Sequence, residues 1–123
     1  MADYVPLYLP GKAFTSTASA AITGGTAVRV SGNGTVAAAT QASHLIIGVA
    51  SQDAAASGDK VGVFGRGTVH RLTAAGAITA GDVVEGAAAG TVATHTQGTN
   101  DVRVFGIALT TAADAASVEV MEL

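Results

Sequence analysis

The stretch Ala77-Ile78-Thr79-Ala80-Gly81-Asp82-Val83-Val84 has an earlier version in the same chain, Ala21-Ile22-Thr23-Gly24-Gly25-Thr26-Ala27-Val28. Each version leads to a Gly-Thr-Val signal, Gly34-Thr35-Val36 and Gly90-Thr91-Val92. Each then reaches an apolar run broken by one glycine, Ile47-Gly48-Val49-Ala50 and Phe105-Gly106-Ile107-Ala108. Both close in a short alternating strand, Lys60-Val61-Gly62-Val63 and Ser117-Val118-Glu119-Val120. The offset drifts only from about 56 to about 58 residues, a period typical of repeated architecture. Two copies imply a duplicated half-domain, about 21–63 and 77–120, rather than a solenoid.

Within each copy the local pattern is β. Val28-Arg29-Val30 alternates, and Asn33-Gly34 suits the positive φ angles of a tight hairpin turn. Leu45-Ile46-Ile47-Gly48-Val49-Ala50 is continuously apolar and short, as a strand buried on both faces would be. Its glycine marks a bulge or a close backbone approach. Residues 53–57 could hold one helical turn stopped by Gly58. Residues 60–72 alternate around Gly65-Arg66-Gly67, a sharp corner that joins the halves without a partner in the repeat. Residues 102–109 are the longest strand candidate. No segment sustains a 3.6-residue period, so the expected fold class is all-β, a small barrel or sandwich over residues 21–123.

Residues 1–20 differ from this body. Pro6 and Pro10 hold their predecessors extended, and Thr15-Ser16-Thr17 carries no helical pattern. The segment is expected to be an extended N-terminal arm; the alternative is an ordinary first strand.

Composition narrows the function. The hydrophobic fraction is 49%, much of it alanine, so the core should be thin and part of the stability should come from other chains. Six basic against nine acidic residues, scattered, leave no nucleic-acid footprint. There is no cysteine for a disulfide or thiolate site, no apolar run to cross a membrane and no secretory leader. The expectation is a soluble product made in the cytoplasm.

No catalytic constellation emerges. His44, His70 and His95 lack metal-ligand spacing and are expected to be solvated at the surface. Asp82 follows Gly81 in a turn, where it caps backbone, while Glu85 stands near it. Glu119 alternates outward between valines, and nothing near Glu122 signals the raised pKa a catalytic pair needs. Serine and threonine lack a nucleophile elbow, and Gly62-Val63-Phe64-Gly65-Arg66-Gly67 is no phosphate loop. No catalytic residue, metal or cofactor is therefore expected. A histidine meeting an acidic neighbour in a deep pocket would overturn that.

The order Gly65-x-Gly67-x-Val69, Ala77 to Val84, Gly90-Thr91-Val92, Gly106-Ile107-Ala108 and Val118-Glu119-Val120 resembles the head-decoration, or capsid cement, proteins of tailed bacteriophages. The resemblance spans roughly residues 20–123 and implies an outer-capsid protein of the virion. It would bind the major capsid protein after lattice expansion, commonly as a homotrimer. The arm residues Tyr4, Val5, Leu7, Tyr8 and Leu9 are then the candidate capsid contact, since an extended segment can add to a sheet edge. The alternative is a virion-surface module that binds a glycan or receptor, which would need an aromatic platform.

Overall fold

The structure, a computed structural model, describes residues 13–40, 46–96, 98 and 101–123. Among the described residues ten strands carry the fold. The first five are β1 (Ala13–Ala18), β2 (Ala27–Gly32), β3 (Thr35–Ala38), β4 (Ile46–Ala50) and β5 (Lys60–Phe64). They close into a barrel in the order β1-β3-β2-β4-β5, with β1 antiparallel to β5 and parallel to β3. The second five are β6 (Val69–Thr73), β7 (Val83–Gly86), β8 (Val92–Thr94), β9 (Val104–Ala108) and β10 (Ser117–Glu122). They form a sheet in the order β6-β10-β9-β7-β8. A parallel bridge, Ala74↔Val92, ties its two edges together.

The two halves repeat each other's neighbour relations. Val28 faces Gly48 as Val84 faces Gly106, and Ala27 faces Val49 as Val83 faces Ile107. The Ile-Thr turns are also tied alike: Ile22 and Ala54 exchange both backbone hydrogen bonds at 2.9 Å, and Ile78 and Ala112 exchange theirs at 2.8 Å. A duplicated half-domain is compatible with this pattern. The repeated strands begin earlier than the sequence signal did, however, because β6 occupies in its half the place of β1. The 65–68 corner does join the halves, but the strands on either side of it both belong to the repeat.

Two sequence expectations are corrected. Residues 13–18, assigned to the arm, are a barrel strand that pairs with β5 from Ala13↔Phe64 to Thr17↔Lys60. The helical turn expected at 53–57 does not form. The bridge to Ile22 draws Ala54 inward, and the side chains of Asp53 and Asp59 accept from the amides of Gly24 and Ala56 instead.

Small side chains divide the interior into two clusters. The first gathers Ala18, Val28, Val36, Val61 and Val63; the second gathers Leu72, Ile78, Val84, Val92, Phe105, Val118 and Val120. The apolar run of β4 is explained by its position between them: Val49 belongs to the second cluster and its neighbour Ala50 to the first. Gly48 is required by close approach, since a Cβ there would run into the carbonyl oxygen of Phe64. Gly106 stands in the same relation to Met121. The Asn33-Gly34 hairpin joins β2 and β3 as expected, with Gly34 at φ 72°.

Candidate functional site

The five arm residues proposed from sequence, Tyr4, Val5, Leu7, Tyr8 and Leu9, lie outside the described residues, as does His44.

His70 and His95 are buried, which corrects the expectation of surface histidines. His95 follows β8, whose short run delivers the ring beneath β7. Its Nδ1 lies 2.9 Å from Oε1 of Glu85 and its Nε2 3.0 Å from Oδ1 of Asp101. Those two carboxylates hold its pKa above the ordinary value, hydrogen bonds first and charge second, against the opposing effect of burial. The same contact, with the Gly98 amide, holds the Asp101 carboxyl below its usual range. Each ring nitrogen faces a carboxylate oxygen, so neither is left open to a metal or a substrate. Its side chain is 1% exposed, so nothing reaches it. The acidic neighbours that would signal chemistry are present, but they form a closed clamp rather than an open pocket.

Asp82 accepts from the amide of Thr79 at 3.0 Å, the capping role expected of it. Glu119 is half-buried opposite Arg71, while Glu122 falls on the inward side of β10 with Val118 and Val120. Both Glu122 oxygens are buried without a hydrogen-bond partner. Burial pushes its pKa up to about 7, partly offset by the charge of Arg66. This is the perturbed carboxyl the sequence did not signal. The inward parity of β10 would have shown it, since Glu122 sits two residues beyond Val120. It lines a recess of about 150 Å³ with Arg66, Phe105 and Leu123. His70, whose Nε2 is also unpartnered and whose pKa burial lowers, lines a different recess. The two groups are therefore not arranged as an acid–base pair on one substrate. Among the described residues no three His, Asp or Glu side chains gather as metal ligands, and no helix is long and apolar enough to cross a membrane.

The described aromatics form no platform. Phe14 packs on the first cluster, Phe105 lies in the second, and Phe64 is exposed. What the surface does offer is an aligned apolar row. Val69, Met121, Ile107 and Val83 lie directly opposite one another across β6, β10, β9 and β7. Val69 is 52% and Met121 36% exposed, while the other two are half-buried.

Comparison with known proteins agrees with a structural role. No curated protein matches the sequence. Among solved structures, the N base of the bacteriophage phi29 head fiber gp8.5 superposes with a TM-score of 0.65 at 19% identity. The match covers 91% of this chain and 93% of that one, and it shows a shared fold. The phage cement protein family matches over residues 8–123. The match runs over nearly the whole of this chain: it belongs to the phage cement proteins, and its role is structural and capsid-associated.

Proposed function

We propose that the protein binds the outside of the expanded major-capsid lattice and cements neighbouring subunits, as a trimer. The observation that carries this reading is the family match over residues 8–123. The physical chemistry supports it. The polar groups with the most perturbed chemistry are closed off or separated, which leaves shape and apolar surface to do the binding. One molecule touching two capsid subunits gains effective concentration at the second contact, so modest contacts suffice for tight attachment.

The arm residues Tyr4, Val5, Leu7, Tyr8 and Leu9 are proposed as the capsid contact. Val5, Leu7 and Leu9 share one parity of an extended strand, and Tyr4 and Tyr8 share the other. The test is to mix the purified protein with expanded, undecorated capsids and separate them on a gradient. Saturable co-sedimentation is expected; protein that stays at the top of the gradient refutes the proposal.

A further inference from the structure

One of the contacts between the two halves is a turn seated on a face. The turn of residues 86–90 in the second half presses on the first half beside Thr26, Ala39 and Ile46. The Gly90 amide donates to the Ala39 carbonyl at 3.1 Å. A Cβ on Gly86 would stand 2.9 Å from Cδ1 of Ile46, and one on Gly90 would collide with the Thr26 side chain. The face that receives this turn includes Ala27, Ile46 and Val49, and Val49 is buried among the second half's own core residues.

Strand register identifies the counterpart of each part. Ala27↔Val49 corresponds to Val83↔Ile107, and Arg29↔Ile46 to Glu85↔Val104. The receiving face is therefore repeated on the second half as Val83, Val104 and Ile107. There it is only half-buried, and it continues into exposed Met121. The inserting turn is repeated too. Val30↔Val36 corresponds to Gly86↔Val92, so residues 30–34 are the first half's version of residues 86–90. Val30 is 40% exposed, and a Cβ on Gly34 would meet nothing within 4 Å. Each chain thus contains one engaged pair of surfaces, plus one turn and one face of the same kind left open at opposite ends of that relation.

We infer that a second copy of this chain seats its 30–34 turn on the Val83–Val104–Ile107 face, repeating between chains the contact that joins the halves within one. The side chains suit the exchange. Inside the chain a bulky Ile46 meets a bare Gly86; between chains a smaller Val104 meets Val30. The bond from Gly90 to Ala39 has its counterpart in the Gly34 amide and the carbonyl of His95, whose ring is turned away into the clamp with Glu85 and Asp101. Such an interface is head-to-tail, so it closes into a ring or runs on as a filament. Three copies closing would place six similar halves around one axis. The inference deepens the trimer named under the proposed function and rests on that part of it, not on capsid binding.

Sedimentation equilibrium of the full chain, without capsids, tests it. Wild type is expected above monomer mass at tens of micromolar. Val30→Asp and Ile107→Asp, each checked for an unchanged circular dichroism spectrum, are expected to be monomers. Because each variant keeps one intact surface, their equimolar mixture is expected to give a dimer and nothing larger. A monomeric wild type, unchanged association of either variant, or a mixture that stays monomeric overturns the inference. A monomeric wild type whose Ile107→Asp form fails to co-sediment with capsids assigns the face to the capsid instead. Self-association that persists while capsid binding fails supports the inference and overturns only the capsid reading.

Discussion

Oε1 of Glu85 lies 2.9 Å from Nδ1 of His95, joining β7 to the loop that follows β8. With Asp101 on the other nitrogen, the ring ties Asp101 to β7. His95→Gln removes the ring that both carboxylates hold and should lower thermal stability at neutral pH. The pKa of His95 is raised, so its stabilisation is complete below 6.5 and is lost as pH rises through the higher folded value. The gap in thermal stability between wild type and variant should therefore narrow from pH 6 to pH 9. An unchanged gap would show that the clamp's charge contributes nothing.

Glu122 acts with the same sign through a different cause. Burial raises its carboxyl from 4.5 to about 7, so the folded protein keeps a proton that the unfolded chain releases. Its stability is complete below 4.5 and falls as pH rises through 7. Glu122→Gln should melt like wild type at pH 4.5 and be more stable at pH 8, by at most about 3 kcal/mol. Equal melting at pH 8 would mean the carboxylate is solvated when ionised.

Gly48 and Gly106 are held by backbone they nearly touch. Alanine at either position should destabilise by about 2–3 kcal/mol in denaturant unfolding, because a carbonyl oxygen on a paired strand cannot yield as a side-chain tip can. Gly65→Ala, where the nearest atom would be 4.0 Å from the added carbon, is the control and should change little.

Much of this fold could be read in the chain, and what could not has physical reasons. The Asn33-Gly34 hairpin and the two-faced strand β4 follow from turn chemistry and apolar runs, and the matching strand pairings of the two halves are compatible with the repeat. Strand β1 was obscured because all of it but Phe14 is Thr, Ser or Ala, small side chains that resemble a tether. Burial of His95 depends on Glu85 and Asp101, ten and six residues away, brought close only by the β7–β8 pairing and the loop beyond it. Burial of Glu122 was legible in its parity with Val118 and Val120. In sequence Glu122 is weighed only as a neighbour of Glu119, which parity turns the other way.

The strand assignment of residues 13–18 sharpens the test of the arm. Deleting residues 1–12 leaves β1 in place and should give a body that melts as the full chain does but decorates capsids weakly. Deleting residues 1–19 removes the strand that joins β5 to β3 and should leave the first barrel unfolded, visible as a lost β signal in circular dichroism. Full decoration by the shorter deletion would remove the arm from the capsid contact.

The central claim is that this chain works by tying capsid subunits together. Calorimetry of expanded capsids, alone and with increasing amounts of the protein, measures this directly. The account predicts that the capsid disruption temperature rises and then levels off once the binding positions are filled. A disruption temperature that does not move while the protein is bound would contradict it.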